Sequence, residues 1–258
     1  MSAAAVLTLA EPIIPIISTL DYDSLPKVKV EHKWTENGTD RYYKIHLPTC
    51  SDPTNKELLL YVIYQFVDAM DNDRLHLDQA TDRYSKLRLV LGGDCRIAWQ
   101  ALSDAQANKT TATFDADVQS LIGAYLAPSS FNDQLEYLNN ATKPFSMSCE
   151  ALGSRLRIIN SLSLLLPQSN IPAVRLYTDA VQMKRAFFRL MPSAWKIKFV
   201  ESGTVLEAPT YNYVDLVRFM AVQETLSKRS LGKRKGQFGG PSGGRGAGRG
   251  GHRGGRGG

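Results

Sequence analysis

The chain has 258 residues, 43% of them hydrophobic and 22% charged, with 31 Lys and Arg against 25 Asp and Glu and a formal net charge of +6 at pH 7. A body of that size and apolar content can bury a core, while its three widely spaced cysteines, Cys50, Cys95 and Cys149, exclude a disulfide or zinc framework and read as isolated thiols in a reducing compartment. The longest apolar run, Leu58 to Tyr64, is too short for a bilayer span of about 20 residues, and an opening segment without a basic leader, interrupted by Glu11, Pro12 and Pro15, does not read as a signal peptide.

Residues 1–26 read as an irregular leader, because Pro12, Pro15 and Pro26 prevent a continuous helix. A β-hairpin follows. Val28 to Thr35 and Asp40 to Leu47 flank Asn37-Gly38, the dipeptide that supplies the positive φ angles of a tight turn. Two strands alone are marginal in water, so the hairpin must pack on the rest of the chain.

Beyond Pro53 the apolar spacing turns helical. Leu59, Val62, Ile63, Phe66 and Met70 share one face of a first helix, and Ala80, Tyr84, Leu87 and Leu91 share one face of a second. Gly92-Gly93 ends that helix before another begins near Asp94 and carries Ile97, Ala98, Trp99 and Leu102. Phe114, Val118, Leu121, Ile122 and Tyr125 mark the next, stopped by Pro128. With the hairpin, these make a first lobe over residues 27–128.

A second helical lobe is expected over residues 129–227. Phe131 to Asn140 reads as a short helix, and Lys143-Pro144 breaks the chain before a stripe of Leu152, Leu156, Ile159, Leu162 and Leu166, closed by Pro167. Ala180, Met183, Phe187 and Leu190 give another helix, Pro192 opens one carrying Trp195 and Phe199, and Tyr213, Leu216, Val217, Met220 and Ala221 give the last. The fold class is therefore mainly α: a two-lobed helical bundle preceded by a β-hairpin.

Charge separates residues 228–258 from everything before them. They hold nine cations, Lys228, Arg229, Lys233, Arg234, Lys235, Arg245, Arg249, Arg253 and Arg256, and no Asp or Glu, which leaves 22 cations against 25 anions in the rest. Rich in glycine and nearly devoid of apolar side chains, this segment cannot offset the entropy of ordering and reads as a disordered cationic tail for RNA. The body, mildly acidic, need not bind nucleic acid at all.

No catalytic apparatus is visible: there is no Gly-x-Ser-x-Gly, no His-Glu-x-x-His, and the histidines are scattered. Gly92-Gly93-Asp94 lacks the Gly-Lys-Ser/Thr ending of a phosphate loop, and Asp68 to Asp73 lacks the glycine and terminal glutamate of a calcium loop. Neither an enzyme nor a metal, cofactor or small-molecule site is expected. Trp99, Phe114, Leu156, Ile159 and Trp195 sit in apolar stripes and read as structural core, although Trp195, beside Lys196 and Lys198, also fits an interface edge.

Leu91 to Leu102, with Phe114 a dozen residues on, resembles the "LxGxAxxWWxxL, then an F-containing helix" signature of retrotransposon Gag proteins. Tyr137-Leu138, Lys143-Pro144, Met147-Ser148, Arg155-Leu156, Ile159-Asn160 and Leu166-Pro167 are similar to a "YL, KP, MS, RL, IN, LP" succession in the same family, and Met191-Pro192-Ser193-Ala194-Trp195 resembles the step that follows. The resemblance, covering about Leu58 to Gly203, implies a capsid-like fold that self-associates into a shell or virus-like particle around RNA. Gln100 stands in place of the second Trp, and no cysteine after Cys149 offers a zinc knuckle, so either the arginine-glycine tail replaces it or the chain stops short of it.

A structural, self-assembling, RNA-binding protein without enzymatic activity or membrane attachment is thus the leading expectation. The alternative is a cellular RNA-binding protein with a helical protein-interaction domain and the same tail. The expected location is the cytoplasm, and Lys228-Arg229 with Lys233-Arg234-Lys235 also has the composition of a nuclear-import signal.

Overall fold

The structure is a computed structural model that describes residues 12–71, 80–169 and 173–237. Its hairpin pairs β1 (Lys27–Glu36) with β2 (Thr39–Pro48), antiparallel from Lys27 opposite Pro48 to Glu36 opposite Thr39. Asn37 (φ 50°) and Gly38 (φ 75°) form the turn, the two left-handed residues that match the twist of the strands. The period of two puts Val28, Val30, Ile45 and Leu47 on one face; Val30 and Leu47 are buried where the hairpin meets the first two helices. Farther toward the turn that face carries His32, Trp34 and Tyr43, with successive ring centres 5.9 Å apart.

Nine α-helices appear among the described residues, so the expected class, mainly helical with an N-terminal hairpin, is observed. The first four are α1 (Lys56–Asp71), α2 (Ala80–Val90), α3 (Gly93–Ala105) and α4 (Thr111–Gly123). Helices α2 and α4 meet α3 at Trp99, whose Nε1 donates to the Tyr84 carbonyl at 3.0 Å, and α1 reaches the same cluster through Phe66 against Phe114. The Tyr84 ring stacks on Trp99 at 5.1 Å, and Phe114 meets both rings edge-on at 5.3 and 5.6 Å. Edge-on and offset contacts are the arrangements that aromatic quadrupoles favour.

Between α2 and α3 the chain must turn against the end of the hairpin. The Cys50 amide donates to the Val90 carbonyl at 3.0 Å, and the Gly92 amide donates to the Cys50 carbonyl at 2.7 Å. Gly93 has φ 50°, and a Cβ there would lie 2.5 Å from the Ser51 carbonyl oxygen, so only glycine fits the turn.

The remaining helices are α5 (Ser130–Asn140), α6 (Cys149–Leu162), α7 (Ala180–Leu190), α8 (Ser193–Glu201) and α9 (Tyr213–Gln237), with a short 3₁₀ turn at Ser163–Leu165. Ser148 and Asp179 cap α6 and α7 by accepting from the amides of Ala151 and Gln182. Helices α6 and α9 pack closely: Tyr213 Oη donates to the Gly153 carbonyl at 3.0 Å, and a Cβ on Gly153 would come within 2.9 Å of Val217 Cγ2.

Two sequence readings need correction, and a third is extended. The leader has no regular secondary structure over residues 12–26, yet it is part of the core, with Ile14 and Ile16 buried. Gln134 on α5 both donates to and accepts from the backbone of Ile14, at 2.9 and 3.0 Å, and Arg155 on α6 donates to the Pro15 carbonyl. Arg155 also meets Glu57 of α1 at 2.7 Å, with both side chains buried, so a charge pair crosses between the two helical sets. Tyr22 completes that knot by donating to Glu57 and accepting from Arg155.

The expected start of the unstructured tail at residue 228 is also too early, because α9 continues to Gln237. Lys228 lies one turn beyond Glu224 and pairs with it at 2.9 Å, an arrangement that extends a helix rather than ending it. Residues 238–258, including Arg245, Arg249, Arg253 and Arg256, lie outside the described residues. Finally, the cysteines are free, but two of them are not isolated: the sulfurs of Cys50 and Cys95 are 4.0 Å apart.

Candidate functional site

The surface where α9 leaves the body combines apolar exposure with positive charge. Pro144 and its neighbours turn the chain between α5 and α6, and Phe145 on that turn is 85% exposed. Beside it lies a cavity of about 130 Å³, lined by Lys143, Phe145, Pro192, Trp195, Glu224 and Lys228. Pro192 caps the start of α8 and so places Trp195 one turn in, facing α9, where Trp195 Nε1 donates to Ser227 Oγ at 2.9 Å. Lys143 Nζ stands 5.7 Å from the centre of the Trp195 ring, a cation–π distance.

Glu224 is buried at the base of this cavity and gathers three donors: the Cys149 amide at 2.9 Å, Lys228 Nζ at 2.9 Å and Lys143 Nζ at 3.3 Å. The Cys149 amide opens α6, so the carboxylate also meets the positive end of that helix. Burial on its own pushes the Glu224 carboxyl up, but the bonds from Lys228, Cys149 and Lys143 overcome it and hold the group at about 2. The same carboxylate, added to burial, pushes the Cys149 thiol up to about 12. Lys228 is raised in turn by its bond to Glu224.

A groove of about 420 Å³ runs along another side of α9, lined by Glu150, Arg218, Ala221, Val222, Leu226 and Arg229. Val222 and Leu226 are exposed there, as are Ile197 and Val200 on α8. The apolar side chains of the groove, rimmed by Arg218 and Arg229, suit contact with another macromolecule, where the apolar centre is covered and the charged rim stays wet. Among the described residues, no group of three or more His, Cys, Asp or Glu is placed to hold a metal ion, and no helix is long and apolar enough to cross a membrane.

The residues expected from the sequence fall into separate places. Trp99, Phe114, Leu156 and Ile159 are fully buried, as core residues should be. Trp195 is half-buried, packed against the core on one side and bordering the cavity on the other, which fits both the core reading and the interface edge. Lys228 and Arg229 are exposed on α9, and Lys233, Arg234 and Lys235 lie on the last turns of that helix. Sequence reasoning missed the exposure of Phe145 and the role of Glu224 as the group that joins Lys143, Cys149 and Lys228. Glu224 and Lys228 do carry a signal, since a carboxylate four residues before a lysine is a helix pair, but nothing local points to Cys149 or Lys143 as its other donors.

No family model, no curated protein and no solved structure matches this chain.

Proposed function

We propose that the chain is a structural protein of the retrotransposon Gag type, which self-assembles through its helical body and holds RNA by its basic C-terminal end. The observation that carries this reading is the segregation of charge: nine cations and no anions in the last 31 residues, against 22 cations and 25 anions in all the rest. A mildly acidic body with a strongly cationic end suits a molecule that meets copies of itself on one side and a polyanion on the other. The exposed apolar residues of α8 and α9 support the first part of that division, since an assembling subunit must leave such surface uncovered until its neighbours arrive.

Many weak contacts then act together. Each tail lowers the repulsion among the others by collecting RNA, and each subunit contact holds more tails in reach of the same strand. The site of action is the cytoplasm, with the basic run at the end of α9 also suited to nuclear import. Electron microscopy and sedimentation of the purified chain test the reading: particles, or large assemblies promoted by RNA, are expected. A strict monomer both with and without RNA overturns self-assembly. A monomer that retains RNA points instead to a cellular RNA-binding protein whose helical body recruits other proteins.

A further inference from the structure

We infer that Cys50 and Cys95 form an oxidative lock: a peroxide converts the buried thiol pair to an intramolecular disulfide that clamps the end of the hairpin to the start of α3. The proposal is independent of self-assembly and of RNA binding. The two sulfurs are 4.0 Å apart, and both residues are fully buried, although they lie 45 positions apart in sequence. Disulfide bonding brings sulfurs to about 2.05 Å, so the gap to close is small enough for side-chain rotation.

The backbone on either side is already fixed for it. Cys50 lies two residues past the end of the hairpin, and its amide and carbonyl are bonded to Val90 and Gly92. Cys95 is in the first turn of α3, three residues after Gly92, so the hydrogen bonds that hold Cys50 also set its position relative to Cys95. Gly93, which no other residue can replace without clashing with Ser51, preserves this close approach.

The electrostatics assign the roles. The Cys50 thiol is lowered, first by its hydrogen-bond contact with Cys95, which outweighs the cost of burial. Cys95 is raised, first by that same hydrogen bond and then by burial, and keeps its proton. In the proposed sequence Cys50, the lowered thiol, is the attacking sulfur and Cys95 the resolving one.

Hydrogen peroxide is the two-electron oxidant that the step requires. The Cys50 thiolate attacks one peroxide oxygen, the O–O bond breaks and hydroxide departs, leaving a sulfenic acid. Cys95 Sγ then attacks the Cys50 sulfur, the S–O bond breaks, and the Cys95 proton leaves with that hydroxyl as water. Two electrons pass from the thiol pair to the peroxide. The resulting crosslink closes a loop containing α1 and α2 and restricts the unfolded chain, so the oxidised protein should resist unfolding more than the reduced one.

Cys149 is the internal control. It is buried against Glu224, where α6 begins beside α9, and its thiol is pushed up to about 12, so it should remain reduced.

The full-length reduced chain is treated with hydrogen peroxide, quenched with catalase, denatured in N-ethylmaleimide and mapped by mass spectrometry without reduction. A protein lighter by two hydrogens, a Cys50–Cys95 linked peptide and an alkylated Cys149 are expected. The melting midpoint should rise and return to its starting value after dithiothreitol. Cys95→Ser should leave a sulfenic acid at Cys50 that dimedone traps; if that variant does not fold, the wild-type map decides alone. Alkylation of all three cysteines, oxidation of Cys149 first, over-oxidation of Cys50 without a link, or a link between two chains overturns the proposal.

Discussion

At the scale of single residues, the clearest energetic commitment is Trp99. It is enclosed by Tyr84 and Phe114 and its indole nitrogen is satisfied, so Trp99→Ala removes ring contacts and leaves a cavity. A loss of about 3 to 5 kcal/mol is expected in denaturant unfolding, and a loss within error would mean the ring is not enclosed. Glu224 makes a prediction in pH instead. Its folded-state value of about 2 lies below the ordinary 4.5, so its stabilisation is fully present above pH 4.5 and disappears as pH falls from there toward 2. Glu224→Gln should therefore lower stability at pH 7 and flatten the acid limb between pH 4.5 and 2, which unfolding curves at a series of pH values will report. An acid limb as steep as that of the unmodified chain would show that other carboxylates carry it. Arg155 is different again: losing it leaves Glu57 buried without its cationic partner, and Arg155→Met should cost about 3 to 5 kcal/mol in the same assay.

At the scale of elements, helix α9 decides how the basic end should be divided. Removing everything from Lys228 onward would also remove a donor to Glu224 and the last turns of a helix, so a stability change is expected in addition to any loss of RNA. Truncation after Gln237 avoids this. It should leave the melting midpoint nearly unchanged and reduce RNA retention, with the log-log salt slope of binding shrinking by about 0.7 for each arginine that no longer meets a phosphate. Equal RNA retention by that truncated chain would place the RNA-binding residues elsewhere. The hairpin and most helices were legible because their signals are local: Asn37-Gly38 supplies both left-handed residues, and stripes such as Leu152, Leu156 and Ile159 follow the helical repeat. The end of α9 was not legible, since glycines at 232 and 236 suggested a coil while the helix carried on through them.

For the whole molecule, the surface of α8 and α9 is the natural place to perturb assembly without touching the core. Val200 on α8 is 69% exposed and Leu226 on α9 52%, so Val200→Glu together with Leu226→Glu should preserve the melting midpoint while lowering the sedimentation coefficient of any assembly formed with RNA. Unchanged assembly would remove this face from the subunit interface. The Glu57–Arg155–Tyr22 knot has the opposite character, because it lies between helical sets that the sequence suggested as separate lobes, and the leader passes over both.

The amino-acid order alone determined the helical class, the hairpin and its turn, the burial of Trp99 and Phe114, and the concentration of positive charge at one end. Each depends on spacing or composition within a few residues, where chain geometry is nearly independent of context. Tertiary structure decided the rest: the burial of Ile14 through Gln134, the gathering of Cys149, Lys143 and Lys228 on Glu224, and the approach of Cys50 to Cys95. Most of these pairings join residues tens to more than a hundred positions apart, and only the packing of whole helices brings such partners within bonding distance.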